Sequence, residues 1–154
     1  MPVKSIGHAV LKVRSVERAE RFYNGILGMP VAVRWDGLGR EMTFFTLGNH
    51  HELAVAEVGE DAPGPEARGV GLAHLAFCVG DSADDLLAMK QQLDAAGWPI
   101  ERTIDHGVTW SLYLSDPDGN GIELYVDVSD RWKTDPAELV NTYRPLDPAV
   151  LAGG

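Results

Sequence analysis

Two histidines lie at matching places in two apolar segments of the chain. His8 falls within "IGHAVLKV", residues 6–13, and His74 within "LAHLAFCV", residues 72–79. A single histidine in an apolar strand is usually a hydrogen-bonded core residue. Two matching histidines in strands that repeat one another can instead share a partner, and a metal ion is a common partner of neutral imidazole.

Glu123 offers a third ligand. The segment "GIELYVD", residues 121–127, alternates apolar side chains with Glu123 and Tyr125, which therefore share the opposite face of a strand. A carboxylate that faces a core needs a partner, either a salt bridge or a metal, whereas one that faces solvent needs neither. Two imidazoles and one carboxylate suit Fe(II), Mn(II), Ni(II), Co(II) or Zn(II). We therefore expect His8, His74 and Glu123 to bind one divalent metal ion.

The two histidine segments begin the two copies of an internal repeat. In each copy a strand-like run leads into a helical pattern and then into three short strand-like runs, in the order βαβββ. Ser15 and Ser82 are suited to cap the two helices at their N-termini. Each helix ends at a Gly-x-Pro sequence, Gly28-Met29-Pro30 or Gly97-Trp98-Pro99, where glycine allows a left-handed turn and proline prevents continuation.

The repeat predicts one α+β domain made of two βαβββ modules. The first module covers residues 4–58 and the second residues 72–128. The stretch 59–71, rich in glycine, proline and charge, links them. Residues 129–154 form a tail, which we expect to be mostly irregular with one short helix near Pro136–Tyr143.

Composition and charge restrict the partners. The 154 residues are 45% hydrophobic and carry a formal charge of −10, which argues against nucleic acid or an anionic membrane as a partner. Cys78 is the only cysteine, which excludes an internal disulfide and a cysteine-rich zinc site. No signal peptide opens the sequence and no apolar stretch is long enough to span a bilayer. We therefore expect a cytoplasmic protein with a small-molecule substrate.

The repeated unit, with "GHAVLKV", "AHLAFCV" and "LYLSDPDGNGIELYVD", resembles the vicinal oxygen chelate superfamily over about residues 4–128. That superfamily includes glyoxalase I, methylmalonyl-CoA epimerase, type I extradiol dioxygenases, and bleomycin- and fosfomycin-resistance proteins. The resemblance implies that the two modules form a cupped eight-stranded mixed sheet around a metal site. It carries the metal ligands over to His8, His74 and Glu123, and it also implies a homodimer.

The second module looks most like the metal-binding half of extradiol dioxygenases. In "DHGVTWSLYLSDPDGNGIELYVD" Tyr113 precedes Glu123 by ten residues, which is the spacing of a tyrosine in those enzymes. His106 matches a histidine that points at the substrate there. Each residue taken alone has a plainer interpretation, because Tyr113 also suits a core position and His106 a surface turn.

The first module contains the candidates for the catalytic acid/base residue. "NHHELAV" contains His50 and His51, and the resemblance favours His51, although both also suit exposed positions. A histidine with a pKa near neutrality can remove and return a proton, and a tyrosine can donate a hydrogen bond to a reacting oxygen. The resemblance thus implies an Fe(II)-dependent enzyme that cleaves a catechol-type aromatic ring with O2, with His51, His106 and Tyr113 as its catalytic residues.

Two other interpretations stay open. "HHELAV" overlays on "GIELYV", which makes Glu52 the repeat counterpart of Glu123. In glyoxalase I and the epimerases that position is a fourth metal ligand, so a lyase or isomerase with a four-ligand divalent site is the main alternative. The third interpretation is a metal-free binding or resistance protein. The set of His8, His74 and Glu123 argues against it, because binding alone does not need three converging ligands.

Overall fold

The computed structural model describes residues 2–66 and 68–152. The chain divides into two compact units, Met1–Ala67 and Arg68–Gly154. Each unit contains one copy of the βαβββ repeat. The boundary lies within the stretch 59–71, whose glycines, prolines and charges disfavour regular structure.

The first unit has a four-stranded sheet and one helical segment. Its strands are β1 (Ala9–Val13), β2 (Val31–Trp35), β3 (Met42–Phe45) and β4 (Leu53–Glu57), in the order β1-β4-β3-β2, and β1 runs parallel to β4. Helix α1 covers Val16–Glu20 and continues as a π-helical stretch over Arg21–Ile26. The predicted cap at its N-terminus forms, because the Ser15 hydroxyl accepts a hydrogen bond from the Arg18 amide at 3.2 Å.

The core of the first unit lies between its sheet and its helical segment. Phe22 and Tyr23 from the helical segment are buried with Phe45 of β3, and the Tyr23 and Phe45 ring centroids lie 5.7 Å apart. Strand β4 is buried along most of its length, as expected for a strand with a neighbour on each side. Removal of these apolar side chains from water is the main term that stabilises the unit.

The second unit has a five-stranded sheet and one longer helix. Its strands are β5 (Leu75–Gly80), β6 (Arg102–Asp105), β7 (Thr109–Ser115), β8 (Gly121–Asp127) and β9 (Arg144–Pro145), in the order β5-β8-β7-β6-β9. Strand β5 runs parallel to β8, and the other pairs are antiparallel. Helix α2 covers Ala83–Ala95, and the Ser82 hydroxyl caps it by accepting a hydrogen bond from the Asp85 amide.

The tail belongs to the second unit and is more ordered than the sequence predicts. Its β9 pairs with β6, and 3-10 turns form at Arg131–Lys133, Pro136–Leu139 and Pro148–Leu151. The helix expected near Pro136–Tyr143 is therefore only one short turn. Arg144 holds the tail on the sheet, because its guanidinium lies 2.7 Å from the buried Asp105 carboxylate.

The predicted α+β class and the two βαβββ units are confirmed. The eight expected strands are all present, and they form two hydrogen-bonded sheets, one in each unit. The ninth strand in the second sheet is an addition that the sequence did not predict. Among the described residues no helix combines the length and apolarity that a membrane span requires.

Candidate metal centre

Glu123 is a buried carboxylate on β8 of the second unit. Its residue is 9% exposed, and its neighbours Ile122 and Leu124 are buried on the opposite face of the strand. The Ser111 hydroxyl on β7 donates a hydrogen bond to Glu123 Oε1 at 2.6 Å. The second carboxylate oxygen, Oε2, lies 3.0 Å from His74 Nε2. Glu123 is thus oriented by one hydroxyl while its other oxygen faces an imidazole.

The parallel pairing of β5 with β8 brings His74 to Glu123. His74 immediately precedes β5, and the next residues on that strand pair with β8 so that Ala76 lies opposite Glu123. The backbone segments that carry His74 and Glu123 approach closely at Gly121. A Cβ added there would lie 2.6 Å from the Ala73 carbonyl oxygen and 3.2 Å from the His74 Cβ. Only glycine allows this approach without a shift of the backbone, so Gly121 helps to set the position of His74.

His106 and Tyr113 lie beside the same carboxylate. Tyr113 pairs directly with Glu123 across β7 and β8, and His106 follows the end of β6. His106 Nε2 is 3.0 Å from the Tyr113 hydroxyl and 3.9 Å from Glu123 Oε1. Burial, and next the negative charge of Glu123, raise the pKa of the Tyr113 hydroxyl. A hydrogen bond to the Glu123 carboxylate adds to the effect, so Tyr113 keeps its proton at neutral pH and acts as a hydrogen-bond donor.

The site contains residues that the sequence analysis missed. Ser111 lies two residues before Tyr113, so the period of two along a strand was the signal that places both on one face. Tyr143 comes from the tail, with its ring centroid 5.4 Å from that of His106 and its hydroxyl 3.4 Å from an Arg102 nitrogen. No local pattern marks Tyr143, because its place depends on the pairing of β9 with β6.

A cavity of about 400 Å³ opens beside Glu123. Strands β7 and β8 line one side of it, with Tyr125 on the same face as Glu123. The tail supplies two further lining residues, Trp132 and Leu139. The lining is mostly apolar and includes two carboxylates, Glu123 and Asp127, a composition that suits a small, largely apolar ligand with a few polar groups.

The first unit brings a different set of histidines together. His8 immediately precedes β1 and His51 lies just before β4, and these strands are parallel with Ala9 opposite Leu53. The ring centroids of His8 and His51 are therefore only 4.1 Å apart, and that of His50 lies 4.6 Å from His51. One ring nitrogen from each of the three lies within 4.8 Å of the others.

The surroundings of His51 lower the pKa of its imidazole. Desolvation has the largest effect, followed by repulsion from the neighbouring His8 and His50 rings, while Glu52 acts in the opposite direction. His51 is half-buried, and the Phe44 ring lies against it at a centroid distance of 5.2 Å. A neutral imidazole can accept a proton, so His51 suits the role of a base.

Strand pairing shows which residue of the first unit occupies the position of Glu123 in the second, and it is not the residue that the sequence overlay indicates. In the first unit Val10 pairs with Ala54, whereas in the second unit the corresponding Ala76 pairs with Glu123. Ala54, rather than Glu52, is therefore the structural counterpart of Glu123. The Glu52 carboxylate accepts hydrogen bonds from the amides of the preceding loop, Leu47 at 2.7 Å and Asn49 at 3.0 Å. Glu52 thus stabilises a turn in this structure.

The donor set in the second unit fits a divalent metal ion. His74 Nε2 and Glu123 Oε2 lie 3.0 Å apart, close enough for one imidazole and one carboxylate to bind the same divalent ion with bonds of about 2.1 Å. No lysine or arginine in the described part of this unit forms an ion pair with Glu123, so its buried charge has room for a cationic partner.

The predicted site residues thus fall into two groups. His74, His106, Tyr113 and Glu123 lie together in the second unit. His8, His50 and His51 lie together in the first unit, where Glu52 points into the adjacent loop.

A family model described as "Glyoxalase/Bleomycin resistance protein/Dioxygenase superfamily" matches residues 5–124. The chain is 36% identical over 122 residues to a catechol-2,3-dioxygenase of Bacillus subtilis, with 79% of this chain and 41% of that protein covered. It is 34% identical to biphenyl-2,3-diol 1,2-dioxygenase 3 of Rhodococcus globerulus, with 79% and 63% covered. The chain therefore spans less than two thirds of the length of these two relatives.

Relatives of another reaction class also match. A probable lactoylglutathione lyase of Synechocystis sp. is 28% identical, with 76% of this chain and 91% of that protein covered. Among solved structures, a glyoxylase/bleomycin resistance protein/dioxygenase domain from Frankia sp. EAN1pec has a TM-score of 0.72 and 24% identity, with 82% of this chain and 99% of that chain covered. This likeness supports the fold.

Proposed function

This chain belongs to the Glyoxalase/Bleomycin resistance protein/Dioxygenase superfamily, and within it we propose that the chain is an Fe(II)-dependent extradiol dioxygenase that cleaves a catechol-type aromatic with O2. One observation carries this proposal. His106 and Tyr113, for which a lyase has no evident use, lie beside the His74–Glu123 pair at hydrogen-bond distance from each other. The names of the two dioxygenase relatives support the same reaction class.

In this proposal His74 and Glu123 hold the iron, with His8 as the third protein ligand. Two imidazoles and one carboxylate form the donor set used by non-haem Fe(II) sites that keep open positions. When bound there, ferrous iron supplies a Lewis acid and a route for electrons between an aromatic diol and dioxygen. Ser111 would fix the Glu123 carboxylate through its hydrogen bond to Oε1.

His51 is the proposed base that takes a proton from a catechol hydroxyl. Its lowered pKa keeps the imidazole neutral at pH 7, which is the form that accepts a proton. The same imidazole, once protonated, can return the proton to the opened product. Its neighbour Phe44 and its half-buried position limit the access of water to the ring.

Tyr113 and His106 are the proposed donors to the reacting oxygens. Tyr113 keeps its proton because burial and Glu123 raise its pKa, so it can donate a hydrogen bond as negative charge develops on a nearby oxygen. His106 holds the Tyr113 hydroxyl at 3.0 Å and thereby orients it. The Tyr143 ring also contacts His106, in an edge-on arrangement with the centroids 5.4 Å apart.

The cavity beside Glu123 supports an aromatic substrate with an apolar substituent. Its volume of about 400 Å³ is in the range of small-molecule sites. Trp132, Leu139 and Tyr125 give its lining an apolar and aromatic character, which would remove part of an aromatic ring from water. Offset or edge contacts with Trp132 and Tyr125 would add to the effect of burial.

The lyase or isomerase alternative needs Glu52 as a fourth ligand. The Glu52 carboxylate instead accepts two hydrogen bonds from loop amides, and the strand register makes Ala54 the counterpart of Glu123. These observations favour a three-ligand site over a four-ligand site. The existence of lyase relatives keeps the alternative worth testing.

The decisive experiment is purification without oxygen, loading with ferrous iron, and addition of catechols in air. A yellow ring-fission product with matching O2 consumption is expected. Consumption of a glutathione hemithioacetal by the metal-loaded protein, with no O2 uptake from any catechol, would replace the proposal with the lyase alternative. Measurement of the mass of the native protein in solution tests the homodimer, which stays a prediction.

A further inference from the structure

The first unit contains a cluster of three imidazoles that the proposed reaction does not fully use. His8, His50 and His51 come from two segments about forty residues apart in the sequence, and their ring nitrogens lie within 4.8 Å of one another. Dioxygenase chemistry assigns roles to His8 and His51 only. His50 is exposed, and its ring stands edge-on to both of the others.

The local structure holds the cluster in place from both sides. The Ala9 amide donates a hydrogen bond to the Glu52 carbonyl at 3.0 Å, which fixes the ends of β1 and β4 side by side. The Glu52 carboxylate binds the amides of Leu47 and Asn49, and the Thr46 hydroxyl donates to the Asn49 carbonyl at 2.7 Å. The loop that carries His50 is therefore shaped by its own hydrogen bonds.

The three rings have the chemistry of a zinc site. No carboxylate in the described residues of the first unit forms an ion pair with any of them, so their lone pairs are not engaged by a fixed acid. Asn49 Oδ1 lies 3.4 Å from His50 Nδ1, so a proton on Nδ1 would face an acceptor and leave Nε2 free to bind a cation. Three imidazoles with an open fourth position are a common tetrahedral zinc set.

The three ring nitrogens need to move only slightly closer together to bind one zinc ion. Nitrogens bonded to zinc at about 2.0 to 2.1 Å in a tetrahedron lie about 3.3 Å apart, against a limit of 4.8 Å for the cluster. His50 lies on an exposed loop, where a change of side-chain rotamer can close this gap. An all-nitrogen set also favours zinc over ferrous iron, according to the general order of divalent metal affinities.

We propose that His8, His50 and His51 form a zinc site within the first unit, and that zinc bound there inhibits the enzyme. The inhibition rests on the proposed function, because zinc would occupy His8, the proposed iron ligand, and His51, the proposed base. The binding of zinc itself does not rest on that function, because it needs only the three histidines of the first unit.

Zinc binding is tested by titration of the full chain against a chromophoric chelator. The background variant is His74→Ala, which removes a ligand from the second unit. This variant should still bind one zinc ion per chain. Adding His50→Ala should weaken binding at least about 10-fold, the scale for disturbing a metal site, whereas adding His106→Ala, a histidine of the second unit, should not. Equal affinity in all three variants, or no binding in the background variant, would overturn the site.

Inhibition is tested separately on the iron-loaded chain. His50 takes no direct part in the proposed reaction and only helps to lower the pKa of His51. At pH 8, above the ordinary histidine pKa, His50→Ala should therefore keep the basal rate while the zinc concentration for half inhibition rises at least about 10-fold. An unchanged zinc sensitivity would overturn the inhibitory role. If the chain has no dioxygenase activity at all, the chelator titration still decides whether the zinc site exists. Circular dichroism of each variant establishes that the fold is retained.

Discussion

The Tyr113 hydroxyl on β7 lies 3.0 Å from Nε2 of His106, which directly follows the neighbouring strand β6. Both groups stand next to the Glu123 carboxylate. Tyr113→Phe removes one donor while keeping the ring, so metal content and fold should be unchanged and the ring-cleavage rate should fall about 10- to 1000-fold. Steady-state assays with iron analysis check this. If the variant binds full iron and its rate is close to that of the wild type, Tyr113 has no catalytic role and serves only in the core.

His8→Ala, His74→Ala and Glu123→Gln should each abolish tight iron binding while the chain stays folded. Each change removes one of the three proposed ligands, and two ligands alone would hold a divalent ion poorly. Anaerobic titration with ferrous iron measures the effect. Full iron occupancy in any of these variants would exclude that residue as a ligand.

Glu52→Gln serves as the matched control and also separates the two enzyme classes. Because Glu52 is bonded to the amides of Leu47 and Asn49, the variant should retain iron and most of the ring-cleavage activity. A loss of metal comparable to that of Glu123→Gln would favour the four-ligand lyase or isomerase.

The titration of His51 should be visible in the pH dependence of turnover. Burial and the neighbouring imidazoles lower its pKa, so the neutral base is present above that pKa and is lost as the pH falls through it. The wild type should therefore show an acid limb in kcat/KM below the ordinary histidine value of about 6.5. His51→Ala should lower the rate about 10- to 1000-fold and remove the limb. His50→Ala should keep it, and an identical limb in both variants would assign the titration to another group.

The tail should influence which catechols are accepted. Trp132 and Leu139 line the cavity beside Glu123, so Trp132→Ala should weaken binding of an aryl-substituted catechol by about 1–2 kcal/mol, or about 5- to 30-fold in KM. KM for unsubstituted catechol should change little. Val140→Ala is the control, because Val140 is exposed and adjacent to Leu139 in the chain. An equal change in KM for both substrates would exclude a contact between Trp132 and the substituent.

Asp105 should make the second unit sensitive to acid. Burial by itself would raise the pKa of the Asp105 carboxyl, but the Gly107 amide and the Arg144 guanidinium hold it below its ordinary value. The stabilisation is therefore present above about pH 4, the unfolded value, and is lost as the pH falls through the folded pKa. Asp105→Asn should lower the free energy of unfolding at pH 7 by about 2 kcal/mol, with the difference shrinking at lower pH.

Chemical denaturation at several pH values measures this effect. Asp130→Asn is the control, because Asp130 forms an exposed ion pair with Lys133, and such pairs contribute at most about 1 kcal/mol. A pH-independent difference for Asp105→Asn would mean that the carboxyl charge does not stabilise the fold.

Local patterns in the sequence determined much of the fold. The Ser15 and Ser82 hydroxyls cap the predicted helices, since a cap depends only on residues within one turn. The alternation along 121–127 placed Glu123 opposite the buried Ile122 and Leu124, because the period of a strand is a local property. The matching histidines at the starts of two strands followed from the repeat.

Only the tertiary structure decided which residues oppose one another. The sequence overlay gave Glu52 and Glu123 the same position in the repeat. In the structure Val10 pairs with Ala54 and its counterpart Ala76 pairs with Glu123, so the position equivalent to Glu123 is Ala54. The two alignments differ by two residues, and a shift of two preserves the alternation of faces, so the sequence pattern does not distinguish them. Only the hydrogen bonds between β1 and β4, which join residues more than forty positions apart, select the register.

The same reason explains the tail and the histidine cluster. A strand of two residues such as β9 has no periodic pattern, and its pairing with β6 alone brings Tyr143 to His106. His8 and His51 become neighbours because β1 and β4 run parallel with Ala9 opposite Leu53. The sequence therefore determined which side chains can do chemistry, and long-range pairing decided which of them lie within reach of one another.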